Sequence, residues 1–179
     1  MKRYLAVAAA LTAAVLLAGC TKEGPSRFKG NYSYSLSGTI DLVPEQGTGD
    51  SGDGGSVSGD TPIVLSVPSE SGQMDIVPMD KSGDMMVMTM RPVTGGTVVF
   101  KAKAEGKVLV LEPAERRILV NFSDVLFGGE STMDVKVSGT GEKFVDVVIF
   151  RLKYNGTCTH NGVTYRISGS SVDCVAKEN

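Results

Sequence analysis

The stretch GNYSYSLSGTIDL, residues 30–42, alternates apolar and polar side chains along almost its whole length. The apolar residues of one parity are Tyr32, Tyr34, Leu36, Ile40 and Leu42. Successive side chains of a β-strand point to opposite faces, so the pattern predicts a strand with one buried face and one exposed face. Strands of this kind are typical of antiparallel sheets.

The same two-residue period recurs along the rest of the chain, and no sustained helical stripe of apolar residues occurs after residue 20. The alternating runs cover residues 73–76, 86–91, 98–105, 117–122, 132–138 and 163–168. Turn-forming residues occur at 81–84, 94–96, 105–107, 127–129, 139–141, 160–162 and 168–170, and each of these predicts a turn. Asn161-Gly162 is a strong two-residue hairpin signal.

The longest apolar run, residues 143–154, changes its parity part-way along. Val145 and Val147 lie on one phase, whereas Val148 and Phe150 lie on the other. A β-bulge near Val147 or a strand that is buried on both faces would produce this change.

Short turns between consecutive strands predict an all-β fold, an antiparallel up-and-down meander of about eight to ten strands. Such a sheet would have long exposed edges, which proteins avoid by closing the sheet or by packing two layers. We therefore expect a closed or nearly closed barrel, with a barrel-like sandwich as the alternative. With about eight strands, the interior of a barrel holds side chains or one small ligand.

The first residues predict export from the cytoplasm. Lys2 and Arg3 precede an apolar run over residues 5–17, which is shorter than the about 20 apolar residues of a permanent membrane span. We therefore expect a signal peptide. Its last residues, Leu-Ala-Gly-Cys at 17–20, resemble the lipobox of bacterial lipoproteins. The resemblance implies cleavage before Cys20 and acylation of its thiol, and the alternative is an ordinary secretory leader with an incidental cysteine.

The expected organisation has three parts. Residues 1–19 form the signal peptide, residues 20–29 form the lipidated cysteine and a polar tether, and residues 30–179 form a single β-barrel-like domain. Thr21 follows the cysteine, and by resemblance to enterobacterial sorting rules it favours the outer membrane. We expect a lipid-anchored protein that faces the periplasm or the cell exterior, with the leaflet left open.

Composition excludes one class of partner. Removal of the signal peptide takes away two of the 18 basic residues and none of the 20 acidic ones, so the mature chain has a net charge of −4. The sequence has neither a basic stripe nor clustered arginines, which argues against nucleic acid as a partner.

Residues 46–60 differ in composition from the rest of the chain, with six glycines and three aspartates in fifteen residues. A segment of this kind cannot bury a core, so we expect a flexible loop. Asp50, Asp53 and Asp60 raise the alternative of calcium binding, but the ligand spacing of an EF-hand is missing.

Cys158 and Cys174 remain once the lipid is assigned to Cys20. A pair of cysteines in an exported chain predicts a disulfide bond. The alternative is two free thiols that form half of a metal site, but His160 is the only histidine and a zinc site would lack ligands.

No motif for catalysis or cofactor binding occurs. The chain has no Gly-x-Ser-x-Gly elbow, no phosphate-binding loop and no His-Glu-x-x-His sequence. We therefore expect neither an enzyme nor a bound cofactor.

The region from Met74 to Met90 contains six methionines. Met86, Met88 and Met90 occupy alternate positions, which would place three thioethers on one face of a strand, about 7 Å apart. Thioethers select Cu(I), so copper binding through these three residues is the minor hypothesis. The main expectation is that they fill the core or line a pocket.

Gly30-Asn31-Tyr32 is similar to the Gly-x-Trp opening of lipocalins. Together with the lipobox, the tether, the strand-rich domain and the C-terminal cysteines, it makes the chain resemble the small lipocalin-like or calycin-like lipoproteins of Bacteroidetes. The leading hypothesis is a membrane-anchored, non-catalytic protein that binds a small apolar or amphipathic ligand inside the barrel. The alternative is an accessory or structural lipoprotein that docks another envelope protein. The residues expected to line the interior are Tyr32, Tyr34, Leu36, Met86, Met88, Met90, Phe100 and Phe122.

Overall fold

The computed structural model describes residues 24–45, 61–81, 83–123 and 129–179. Their eight antiparallel strands run up and down in chain order and form one closed barrel, which confirms the predicted fold class. The strands are β1 (Gly30–Pro44), β2 (Ile63–Pro78), β3 (Met85–Pro92), β4 (Val98–Glu105), β5 (Val108–Asn121), β6 (Glu130–Phe144), β7 (Val147–His160) and β8 (Val163–Glu178). A short 3₁₀-helix over Gly24–Arg27 precedes β1.

Some predictions concern parts of the chain that are not described. The signal peptide, Cys20 and the first residues of the tether, the loop over residues 46–60 and residues 127 and 128 of one predicted turn all lie outside the described residues. Within the described part of the chain, no helix combines the length and the apolar character that a membrane crossing requires.

Strand β1 closes the barrel because it pairs with both β2 and β8. Leu36, for example, lies opposite Glu70 on one side and Cys174 on the other. Each strand is thereby paired on both sides along at least part of its length, which removes most of the exposed edge that makes an open sheet prone to aggregation.

The inward-facing apolar side chains of each strand fill the interior tightly. Tyr32 and Met86 are 0% exposed and Phe100 is 1% exposed. A side chain that lined a water-sized void would have surface accessible to that void, so these values indicate close packing around the three residues. Each fully buried side chain of this size stabilises the fold by roughly 1.5–3 kcal/mol.

A bulge in β2 reverses which side chains face the interior. Leu36 pairs with Glu70 and Gly38 pairs with Val67, so Pro68 and Ser69 together lie opposite one residue of β1. Before the bulge the odd-numbered side chains, such as Val67, face inward, whereas after it the even-numbered side chains face inward. The extra residue therefore turns Glu70 towards the interior.

Strand β5 contains a matching bulge. Leu111 pairs with Gly139 and Ala114 pairs with Val137, so residues 112 and 113 together lie opposite one residue of β6. Here too the inward-facing side chains are odd-numbered before the bulge and even-numbered after it, which turns Arg116 inward.

Between the two bulged strands the barrel has a seam. The ladder of β2 with β3 covers only residues 72–78, and the ladder of β5 with β4 covers only residues 102–105 of β4 against 108–111 of β5. Residues 63–71 and 112–121 consequently border each other without a ladder between them among the described residues. Pro68 and Pro113 lie in these two segments, and proline has no backbone N–H to donate to a ladder.

Two of the predicted turns are wrong. Residues 139–141 lie inside β6 and residues 168–170 lie inside β8. The glycines serve close strand approach instead, because a Cβ atom on Gly139 would lie 2.3 Å from the carbonyl oxygen of Arg151 on β7. Small residues inside strands allow this approach where the sheet bends sharply.

The expected bulge near Val147 is also wrong, because a hairpin turn separates β6 from β7 there. Phe144 pairs with Val147, so Val145 and Asp146 form a two-residue turn. This turn carries no glycine or asparagine, which is why the sequence pattern concealed it. The predicted Asn161-Gly162 hairpin is confirmed, with φ values of 50° and 79°.

Gly38 provides a test of barrel closure. Its φ is +155°, and a Cβ atom there would lie 2.1 Å from the carbonyl oxygen of Ser171 on β8. We expect Gly38→Ala to destabilise the fold by about 3 kcal/mol, because backbone strain and overlap with β8 act together. Chemical denaturation measures the change, with Gly96→Ala as the control, because nothing lies within 4 Å of that Cβ position. Equal stability of the two variants would contradict closure through Gly38.

Val145 and Asn161 are the first turn residues of the β6–β7 and β7–β8 hairpins, and each can be replaced by the residue found in the other. Val145 has φ 54° and Asn161 has φ 50°, and asparagine tolerates this region much better than a β-branched residue. We expect Val145→Asn to stabilise the protein by about 1 kcal/mol, a rise of about 3 °C in Tm, and Asn161→Val to lower Tm by a similar amount. Thermal unfolding of both variants followed by circular dichroism checks this, and a decrease in Tm for Val145→Asn would contradict it.

Candidate functional site

The seam between β2 and β5 contains a cleft of about 480 Å³. This volume falls within the range of pockets for small ligands, about 300–1,000 Å³. Apolar side chains that border it include Leu36, Val67, Val98 and Ile118. The β3–β4 turn, residues 94–97, forms part of the rim.

An ion pair between Glu70 and Arg116 joins the two sides of the cleft. Their side chains are only 13% and 14% exposed, so both charges are largely removed from water. The Tyr34 hydroxyl donates a hydrogen bond of 2.7 Å to Glu70 Oε1. Burial, followed by this hydrogen bond and the negative charge of Glu70, raises the pKa of Tyr34.

Two neutral groups lie close to the ion pair. The Tyr154 hydroxyl is buried and makes no hydrogen bond of normal geometry with the described residues, although the Arg116 charge acts on it. Burial raises the pKa of Tyr154 to about 12. Burial and the charge of Glu70 likewise raise the pKa of the Cys174 thiol to about 12. Both groups are therefore uncharged at neutral pH, and the local charge belongs to Glu70 and Arg116.

This arrangement can bind a hydrogen-bond acceptor. A guanidinium group has five N–H donors, and the described contact with Glu70 is made through one terminal nitrogen of Arg116. Arg116 borders the cleft and is largely removed from water, and a hydrogen bond in such surroundings is stronger than in water.

All eight residues predicted to line the interior are buried there. Leu36 borders the cleft, and the Tyr34 hydroxyl donates a hydrogen bond to Glu70, which also borders it. The structure does not bring the other six to the cleft: Tyr32, Met86, Met88, Met90, Phe100 and Phe122. Their role in ligand binding stays a prediction.

The three alternate methionines of β3 do share one face. Met86, Met88 and Met90 are at most 1% exposed, and Met90 pairs with Met74 of β2. They pack as core side chains, and copper binding through them stays a prediction. Among the described residues, no cluster of three or more His, Cys, Asp or Glu side chains could hold a metal ion.

His160 lies at the end of β7 and is mostly buried. Its ring stacks on Phe122 with a centroid distance of 4.1 Å, and its Nδ1 atom lies 2.9 Å from Ser131 Oγ. No sequence pattern indicates this Ser–His contact, because the two residues are 29 positions apart. A triad also needs a group that orients the histidine. Among the described residues, the ring nitrogens contact Ser131 and Asn161, neither of which is a carboxylate.

The predicted disulfide is absent, because Cys158 and Cys174 are both free thiols. Cys174 lies opposite Phe150 on β7, and Cys158 lies further along that strand, about 26 Å away at the usual rise per residue. A disulfide requires Cα atoms less than about 7 Å apart, so this register excludes the bond.

Sequence reasoning missed Glu70 and Arg116, the residues that define the site. The alternating runs that the sequence indicates begin after both residues, at 73 in β2 and at 117 in β5, so the pattern assigns neither residue to a face or a role. The available signal was Pro68 and Pro113, since proline inside a strand indicates an edge or a bulge.

Comparisons of the chain with known protein families, curated proteins and solved structures find no match. The likeness to lipocalin-like lipoproteins therefore stays a prediction, and function is inferred from the residues themselves.

The two thiols offer a direct test of the register between β7 and β8. Burial raises the pKa of both thiols, and thiolates are the reactive form. We expect neither Cys158 nor Cys174 to react readily with iodoacetamide in the folded protein at pH 8. In denaturant without reductant, both should be alkylated, as peptide mapping by mass spectrometry would show. A peptide pair linked through these cysteines would contradict the structure.

Proposed function

We propose that this protein is a membrane-anchored envelope lipoprotein that binds a small amphipathic ligand in the cleft between β2 and β5. One observation carries the proposal: a ligand-sized cleft with both apolar and polar walls has a largely buried ion pair, Glu70–Arg116, across it. Pockets with apolar walls and a few placed polar groups are typical of small-molecule sites.

The two parts of the ligand have different partners. The apolar part packs against Leu36, Val67 and Ile118, which border the cleft. The head group is a hydrogen-bond acceptor such as a carboxylate, which binds donors of Arg116 that the contact with Glu70 does not use. Glu70 holds the guanidinium in place from the opposite strand.

The location in this proposal comes from the leader and its lipobox. Acylation of Cys20 would anchor the chain to the outer membrane, with the barrel facing the periplasm or the cell exterior. One acyl chain binds a membrane only marginally, whereas two or more hold a protein there stably.

The close-packed interior favours a second candidate, an accessory lipoprotein that docks another envelope protein. The outer side of β5–β7 carries a concavity of about 730 Å³. Charged side chains of both signs border it, including Glu115, Arg117, Asp134 and Lys136. A polar surface of this kind suits the rim of a protein interface.

A fluorescent fatty acid, dansyl-undecanoate, tests the ligand site. We expect the protein to enhance its fluorescence, and Arg116→Gln to weaken binding by about tenfold, the effect of losing a charged hydrogen bond. The control is Arg91→Gln, because Arg91 is also ion-paired but lies on the exposed face of β3, away from the cleft.

A second variant covers the possibility that Arg116→Gln fails to fold. Thr94→Trp adds bulk at the rim and leaves the ion pair intact, so it should also reduce binding. Unchanged probe binding in a folded Thr94→Trp chain would exclude this cleft as the site. Absence of binding by the unaltered protein would favour the docking alternative.

A further inference from the structure

The β6–β7 hairpin exposes two apolar side chains at its tip. Phe144 is 54% exposed and Val145 is 93% exposed. Single exposed apolar side chains, such as Val93, are common on protein surfaces, whereas here an aromatic and an aliphatic residue are adjacent at one turn.

The backbone at this tip makes the choice of residue more unusual. Val145 has φ 54°, a region where a β-branched residue is a genuine outlier. The corresponding position of the β7–β8 hairpin is Asn161, the residue type that suits this φ. Residues that break a local rule without a packing benefit occur mainly at functional sites.

The tip lies at the end of the barrel where the described chain begins. Arg27, in the 3₁₀-helix before β1, donates a hydrogen bond of 3.1 Å to the carbonyl oxygen of Lys143. Lys143 is also held by an ion pair with Glu178 and a 3.1 Å hydrogen bond to the Tyr32 hydroxyl. The N-terminal segment is thus fastened directly beside Phe144.

The distance from the lipid is short. Three residues separate Cys20 from Gly24, so an extended chain between their Cα atoms spans at most about 14 Å. If Cys20 is acylated, as the proposed function requires, the end of the barrel that carries Gly24 lies within reach of the bilayer surface. In the up-and-down strand order the β3–β4 turn at the cleft rim faces the opposite end, and it lies beside the middle of β2, where the Val93 N–H donates to the Ser71 carbonyl oxygen.

We infer that the Phe144–Val145 tip inserts into the headgroup region of the membrane and acts as a second contact beside the lipid anchor. Aromatic side chains favour this interface, and an apolar side chain that enters it loses contact with water. The contact would orient the barrel with the cleft rim directed away from the bilayer. This inference rests on the lipid anchoring in the proposed function.

The chain contains no tryptophan, so a single introduced indole reports its own surroundings. The test uses full-length lipidated protein in vesicles of phosphatidylethanolamine and phosphatidylglycerol that contain acyl-brominated phosphatidylcholine. Phe144→Trp places the indole at the tip. Val93→Trp is the matched control, because Val93 is 80% exposed and lies in the β3–β4 turn, which faces away from the tip.

We expect the F144W indole, about 5–10 Å into the headgroup boundary, to lose about half of its fluorescence and to shift to shorter wavelength. The V93W indole should keep an emission typical of water. Flotation of the protein with the vesicles, together with equal quenching of the two variants, would overturn the tip contact alone. Failure of the protein to float would overturn the anchor and the tip contact together.

Discussion

The candidate site depends on two proline-containing bulges, one in β2 and one in β5. Each bulge adds one residue to its strand, so the other set of alternate side chains faces inward beyond it. This turns Glu70 and Arg116 towards each other. Without the extra residues, both charges would point to solvent and meet water instead. The prolines also deprive the two facing segments of backbone donors, so the same feature that creates the ion pair keeps the seam from closing as a ladder.

The barrel tolerates the open seam between β2 and β5 because the pairing of β1 with β2 and β8 closes the sheet. Strand β1 pairs along most of its length with both neighbours, and glycines such as Gly38 allow the close approach that sharp curvature needs. The core around Tyr32 and the β3 methionines is filled, so a ligand finds space at the side of the barrel. The buried charges are tolerable because they are paired, since an isolated buried charge costs several kcal/mol.

The fold class could be predicted from the sequence because alternation is a local signal that β1 shows clearly. The site could not, because a bulge shifts the phase and pairwise contacts such as Glu70–Arg116 join residues 46 positions apart. The Val145–Asp146 turn escaped prediction for a related reason, since its residues contradict the usual turn chemistry. The cysteine pairing failed because two thiols on adjacent strands can still lie at opposite ends of a hairpin, which depends on register.

Hydrogen exchange followed by NMR tests the combination of closed ring and open seam most directly. The account predicts slow exchange for the amides of β1 that point to β2 and for those that point to β8. It also predicts fast exchange for the amides of residues 63–70 that point away from β1 and those of residues 114–121 that point away from β6. Slow exchange along both of these segments would mean that β2 and β5 form a continuous ladder, which would contradict the cleft and the function assigned to it.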